Sequence, residues 1–250
     1  MKIAIFTDIH GNYEALKSII EDTKKEKITN IICFGDTIGI GPKPKECLDL
    51  IIKANISMIL GNHELYYLLG SPLTNNLSHH EKLQIKWVKD SLNQKQYDYL
   101  KECPLTITKR INNKELLFTH FLIKNPQIPK DNSLIVNSNQ DIYPFHPLSI
   151  IKNNEIDKII KTISSDYIFI GHEHNHFEKN IDNKKLICLG SSGCIKNNIT
   201  KYTILDFNKE TITISEKELL YNRNNLINDF IKVDYPCKKE LAKMFFDIDL

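Results

Sequence analysis

Short apolar runs alternate along the chain with stretches whose apolar residues recur every three or four positions. Lys2–Phe6, Asn30–Gly35 and Ile56–Leu60 are brief, apolar and β-prone, the pattern of strands buried on both faces. Between them, Ala15, Leu16, Ile19 and Ile20 share one helical face, and Cys47, Leu48, Ile51 and Ile52 share another. Asn12 is placed to cap the first helix and Pro44 to open the second. This strand–helix alternation predicts an α/β fold with a largely parallel sheet and the polar strand ends along one edge. The rhythm breaks near residues 70–104, where Leu83, Trp87, Leu92, Tyr97 and Leu100 predict two inserted helices. Further strands are predicted over Leu105–Ile111, Leu116–Thr119, Tyr167–Ile170, Lys185–Leu189, Tyr202–Phe207 and Thr211–Ser215, with a helix over Asn154–Ile163. The stretch near 121–153 is rich in Asn and Pro and reads as a lid-like loop. Two amphipathic helices over 219–250, parted near Asp234–Pro236, complete what is expected to be a single domain spanning 1–250.

The polar residues that follow the predicted strands carry the chemistry. The first strand runs into Asp8 and His10, the second into Asp36, the third into Asn62 and His63. Later strands end at His120 and at His172-Glu173-His174. In extended backbone, residues i and i+2 point the same way, so Asp8 with His10 and His172 with His174 are expected to converge past their strand ends. Five of the nine histidines fall in this set. Mixed Asp, Asn and His donors suit divalent first-row metals such as manganese, iron or zinc. The set holds no thiolate, so a structural zinc site is not indicated. His79 and His80 are neighbours on a predicted helix and cannot face one point; they and His146 are expected to lie outside the site.

Composition narrows the setting. The apolar fraction of 41% and charged fraction of 26% are those of an ordinary globular protein. A net charge of +2 gives no strong nucleic-acid or membrane signal. None of the six cysteines forms a C-x-x-C pair, so reduced thiols in a cytoplasmic protein are expected. No apolar run approaches the ~18 residues of a membrane span, and the first residues do not read as a signal peptide.

These stretches resemble the calcineurin-like metallophosphoesterase superfamily. All five of its motifs occur in order between Thr7 and His174: D-x-H-G-N, G-D-x-x-G-x-G-P, G-N-H-E, T-H and G-H-x-H. The resemblance implies a four-layer α/β/β/α sandwich holding two divalent metal ions. It implies one ion on Asp8, His10, Asp36 and His174, and a second on Asp36, Asn62, His120 and His172, with Asp36 bridging. His63 would be the general acid, and a hydroxide bridging the metals would attack phosphorus in line. Protein phosphatases of the superfamily read G-D-x-V-D-R-G at the second motif and carry an arginine before G-N-H-E. Here Gly39 and Ile40 replace that acid and arginine, and Leu60 replaces the other arginine. The Gly-x-Gly-Pro form resembles instead the small bacterial and archaeal phosphodiesterase branch, which includes dinucleoside polyphosphate hydrolases.

The expected activity is therefore hydrolysis of phosphodiester or phosphoanhydride bonds in a small, nucleotide-like substrate. A phosphomonoesterase on the same site is the first alternative. A non-catalytic scaffold of this fold, such as the retromer subunit, is the second. A repair nuclease is disfavoured, because Gly39 stands where its motif places a histidine. Two departures stand out: Phe121 follows His120 where glycine is usual, and Glu173 occupies a place where threonine is common. Tyr13, Tyr66, Tyr67, His79, Phe121 and Lys124 are candidate pocket residues by proximity in sequence.

Overall fold

The computed structural model describes residues 1–70, 77–123, 145–146, 153–209 and 211–250. Most of the expected lid near 121–153 lies outside the described residues, as does Lys124.

The first five apolar segments form β1 (Lys2–Phe6), α1 (Tyr13–Lys25), β2 (Asn30–Cys33), α2 (Pro44–Lys53) and β3 (Ser57–Met58). Asn12 caps α1 as predicted, its Oδ1 accepting the Ala15 N–H at 3.1 Å, and Pro44 opens α2. The third strand is shorter than Ile56–Leu60. After Ile59 bonds to the Cys33 carbonyl, the Leu60 N–H turns away to that of Pro104, so the chain leaves the ladder early. Three helices follow: α3 (Asn62–Leu69), α4 (His79–Ser91) and α5 (Gln94–Glu102), the last two being the predicted insertion.

The second half supplies β4 (Thr106–Ile111), β5 (Lys114–Thr119), the short pair β6 (Leu122–Ile123) and β7 (Phe145–His146), and α6 (Asn153–Thr162). Then come β8 (Tyr167–Ile170), β9 (His176–Ile181), β10 (Lys184–Leu189), β11 (Ile199–Phe207) and β12 (Ile212–Leu220), and finally α7 (Arg223–Lys232) and α8 (Lys238–Phe246). Strand β9 has no counterpart in the sequence reading. It is an edge strand reading His-Phe-Glu-Lys-Asn-Ile, too polar to stand out as an apolar run. Strand β12 continues five residues past Ser215 for the same reason: Glu216, Lys217 and Glu218 lie on a sheet edge.

There are two five-stranded sheets, ordered β12-β11-β1-β2-β3 and β4-β5-β8-β10-β9. The expectation of a largely parallel sheet is corrected here, because both are mixed. In the first, β1, β2 and β3 run parallel while β11 and β12 are antiparallel additions. In the second, β5, β8 and β10 run parallel between the antiparallel edges β4 and β9. The late strands come as hairpins, which need no crossover helix.

The sheets face each other across Ile3, Ile5, Ile32 and Phe34 on one side and Leu116, Phe118, Phe169 and Ile187 on the other. Helices α1 to α5 cover the outer face of the first sheet, and α6 covers the second through Ile156 and Ile160. This is the four-layer α/β/β/α sandwich. The C-terminal helices pack around Tyr221, Phe230, Tyr235 and Phe246 and reach the second motif loop, where the Tyr235 hydroxyl donates to the buried Ile40 carbonyl at 2.7 Å. No helix among the described residues is long and apolar enough to cross a membrane.

Candidate metal centre

The loops that leave β1, β2, β3, β5 and β8 meet at one edge of the sandwich. Their convergence does not come from extended backbone, which corrects the i, i+2 argument. Strands β1 and β8 end at Phe6 and Ile170. Asp8 (φ 53°), His10 (47°), Asp36 (49°), His172 (69°) and His174 (56°) all adopt the left-handed conformation. Side chains with a Cβ adopt it at a cost of order 1 kcal/mol each, and such residues gather where function demands them. Interlocked main-chain bonds hold the turns. Asp8 N–H donates to Gly35 O (3.1 Å), His10 N–H to Asp36 O (2.8 Å) and Gly11 N–H to Thr37 O (2.9 Å).

Asp8 is fully buried. Its Oδ2 accepts from the Thr7 hydroxyl (2.7 Å) and the His172 N–H (3.1 Å). Among the described residues its Oδ1 has no hydrogen-bond partner, yet it lies 3.3 Å from His174 Nε2, 3.6 Å from His10 Nε2 and 3.9 Å from His120 Nε2. Asp36 Oδ2 stands 3.3 Å from His120 Nε2 and 3.7 Å from His10 Nε2, while its Oδ1 accepts the His63 N–H at 2.9 Å. Asn62 Oδ1 faces His172 Nδ1 (2.9 Å) and His120 Nε2 (3.2 Å). Two imidazoles are oriented from behind. His120 Nδ1 contacts the Phe34 carbonyl at 2.6 Å and His10 Nδ1 that of Ile38 at 3.3 Å, which aims both Nε2 atoms inward.

The electrostatics are those of a packed acid–imidazole cluster. Burial opposes charge on Asp8, but His120, His10 and His174 outweigh it and hold the carboxyl well below the usual range. Burial likewise works against ionisation of Asp36 and is outweighed by His120 and His63. Burial lowers the His120 imidazole, but Asp36 and Asp8 more than reverse this and lift it to about 9. His63 goes the other way, pulled down to about 4 chiefly by burial. An orphaned buried carboxylate oxygen, ringed by imidazole nitrogens, fits a bound cation. Two groups of donors contain Asp36, one with His10 and His63 and one with His120 and His172. A third joins His10, His174 and Cys194, and within each group the donor atoms lie no more than 4.8 Å apart.

His63 and Asn62 are the first residues of α3, not the end of a strand. The His63 imidazole rests on Gly39: a Cβ there would sit 2.1 Å from its Nδ1. Gly39 therefore makes room for the ring in place of supplying an acid to orient it. The ring meets His10 edge-on at 4.9 Å and Tyr66 at 5.8 Å.

The remaining expectations divide. Phe121 is buried with its ring edge-on to His120 (5.3 Å) and His172 (6.1 Å), so it walls the centre. Tyr67 lines a small cleft with Gly39 and His63 and packs on Tyr97, whereas Tyr13 lies under Lys43 and His79 contacts His80 at the start of α4. Three contributors escaped the sequence reading. The loop Gly190–Cys194 is bonded to the first motif, with Ser192 N–H donating to Thr7 O (2.9 Å) and Gly193 N–H to Asp8 O (3.0 Å). Its Ser-Ser-Gly after a strand was the available signal. Phe245 of α8 comes to 6.0 Å from His174, from a tail whose sequence carries no sign of it.

Glu64 is the third. Completely buried, its carboxylate accepts four backbone N–H groups: Thr37 (2.8 Å) and Ile38 (3.1 Å) on Oε1, Asp36 (2.7 Å) and Gly61 (2.9 Å) on Oε2. The motif G-N-H-E displayed it, but only the fold shows what it grips.

Comparison with known proteins bears directly on this edge. Residues 1–176, which contain all five motif loops, match the calcineurin-like phosphoesterase family. The chain belongs to this family. As a calcineurin-like phosphoesterase, it is a metal-dependent enzyme acting on phosphate esters. It is 28% identical over 257 aligned positions to an uncharacterized protein of Methanocaldococcus jannaschii, covering 97% of this chain and 91% of that one. A shorter match, 38% identical over 79 residues, is to a symmetrical bis(5'-nucleosyl)-tetraphosphatase of Wigglesworthia glossinidia brevipalpis; it spans 30% of this chain and 29% of the other. In three dimensions the fold superposes on the crystal structure of a metallophosphoesterase from Sphaerobacter thermophilus with a TM-score of 0.70. That pair is 18% identical and covers 97% of this chain and 99% of the other.

The Glu64 clamp makes a stability prediction. In Glu64→Gln, one amide NH2 group must face two backbone N–H donors whichever way it turns. Denaturant unfolding of the chelator-treated protein should show a loss of about 2–4 kcal/mol. A loss below about 0.5 kcal/mol would show that the loops hold without it.

Proposed function

We propose that this phosphoesterase binds two divalent ions and hydrolyses phosphodiester or phosphoanhydride bonds of small nucleotide-like substrates. The observation that carries the reading is the position of Asp36 between two groups of donors, with Oδ2 within 3.7 Å of both His10 Nε2 and His120 Nε2. One ion would be held by Asp8, His10, Asp36 and His174, the other by Asp36, Asn62, His120 and His172. When bound, the ions supply Lewis-acid charge at phosphorus and activate water as the nucleophile. Manganese, iron and zinc all suit this oxygen and nitrogen donor set.

The protein's own groups do the rest. The N-terminus of α3 presents the positive end of its dipole beside the centre, which favours an anionic phosphoryl group. His63 stands at that terminus, its ring 4.9 Å from that of His10, and would donate to the leaving oxygen. Gly39 and Ile40 leave the second motif without the acid and guanidinium of a protein phosphatase, and the Ile40 carbonyl is already taken by Tyr235. Half-buried Tyr66 and Phe245 flank the cluster near His63 and His174, offering aromatic faces to a base. The partial likeness to a bis(5'-nucleosyl)-tetraphosphatase agrees with that substrate class.

Three measurements test this reading. Asp36→Ala should lose metal at both positions and His174→Ala mainly at one, as read by elemental analysis after gel filtration; an Asp36→Ala protein retaining two ions per chain would overturn the shared ligand. Screened with manganese, the enzyme should turn over bis(p-nitrophenyl) phosphate, cyclic nucleotides or diadenosine polyphosphates faster than p-nitrophenyl phosphate or a phosphopeptide. The reverse order would make it a monoesterase or protein phosphatase. His63→Ala should keep both metals. It should lose at least ~10²-fold more kcat/KM on substrates with alkoxide leaving groups than on p-nitrophenyl esters, whose phenolate departs without a proton. Equal losses with intact metal would rule out the acid role, and lost metal would make His63 a ligand.

A further inference from the structure

Cys194 lies in the Gly190–Cys194 loop, outside the five motifs. Among the described residues it is the one cysteine whose sulfur joins a group of donor atoms able to share an ion. Its Sγ and the ring nitrogens of His10 and His174 all lie within 4.8 Å of one another, and the two Nε2 atoms are 3.0 Å apart. A second observation points to the same two rings. Asp8 Oδ1, fully buried and without a hydrogen-bond partner among the described residues, lies 3.3 Å from His174 Nε2 and 3.6 Å from His10 Nε2. Tetrahedral donors at about 2.0–2.3 Å from one ion stand about 3.3–3.8 Å apart, so ligation asks the sulfur to draw in by at most about 1.5 Å.

The backbone at Cys194 is also tethered to the ligand its sulfur would join. The Cys194 N–H donates to Ser191 Oγ at 2.8 Å, and that hydroxyl donates to the Asp8 carbonyl at 2.9 Å. Thus the loop that carries the thiol is registered on the residue whose carboxylate oxygen is orphaned.

We propose that Cys194 is a further ligand of the ion held by Asp8, His10, Asp36 and His174, a proposal that rests on the two-ion reading above. On coordination the S–H bond breaks, the sulfur electron pair forms the bond to the ion and the proton passes to the buffer. A thiolate among oxygen and nitrogen donors biases that position toward zinc, iron or cobalt and away from manganese.

The test is the electronic spectrum of the full-length protein loaded with cobalt(II), with metal content measured on the same sample. The wild type should show a near-ultraviolet thiolate-to-cobalt charge-transfer band. Cys194→Ser should lose the band while retaining cobalt, and Cys237→Ser should keep it. The zinc-over-manganese preference of Cys194→Ser should fall about tenfold or more. Bound cobalt without the band, or an unchanged band in Cys194→Ser, would overturn the proposal and leave the metal centre standing. Failure of the wild type to bind cobalt, zinc or manganese would overturn both. Should Cys194→Ser not fold, alkylation of the wild type decides: zinc should shield Cys194 and chelation expose it, and equal labelling in both states would refute ligation.

Discussion

The Glu64 carboxylate is the fixed point of this molecule's chemistry. It is wholly buried, burial and the neighbouring Asp36 lift it to about 7, and four backbone N–H dipoles from two different loops meet its oxygens. Three come from Asp36–Ile38, which leaves β2, and one from Gly61, which precedes α3. A single side chain thereby sets the main chain of Asp36 against that of Asn62 and His63. Asp36 repeats the device in miniature, accepting the His63 N–H on one oxygen and turning the other toward His120 and His10. The Asp36 side chain therefore reaches the centre already oriented, so binding does not have to supply that order.

Strain and hydrogen bonding are balanced around the same point. Five residues of the cluster occupy left-handed backbone, a conformation that isolated turns of Asp or His would leave readily. Here the first motif is bonded on one flank to the second motif and on the other to the Gly190–Cys194 loop. Strands β1 and β2 are parallel neighbours in the first sheet, and the Gly190–Cys194 loop follows β10 of the second, so the two halves of the sandwich meet at these turns. Rigid turns of this kind leave a buried carboxylate oxygen without a hydrogen-bond partner among the described residues and imidazoles crowded to 3.0 Å, a state that a cation would relieve.

The surroundings of the centre come from segments peripheral to the sandwich. Trp87 of the inserted α4 lies 4.8 Å from Tyr235 of the tail, and Tyr235 holds the Ile40 carbonyl. Insertion and tail thus meet over the second motif loop, where protein phosphatases carry an arginine. Phe121 closes the opposite flank, against His120 and His172. The donor cluster is set by the motif loops, while its walls are set by helices and rings outside them.

By itself the sequence determined the α/β class and the positions of most strands and helices, and it marked Asp8, His10, Asp36, Asn62, His63, His120, His172 and His174 as candidates for one site. It could do so because a buried strand and a helical face leave periodic apolar marks, and because metal-binding donors fall at strand ends where the apolar run stops. It did not determine strand direction, the polar edge strand β9 or the second half of β12, since pairing between distant segments leaves no local period. Nor could spacing alone explain convergence: Asp8 with His10, and His172 with His174, meet through left-handed turns imposed by neighbouring loops, not through extended backbone. Glu64, Ser191, Ser192, Cys194 and Phe245 acquire their places only from tertiary structure. Their partners lie between 25 and 190 residues away for the most part, and a contact at that distance is decided by how the two sheets stack, not by anything written beside the residue.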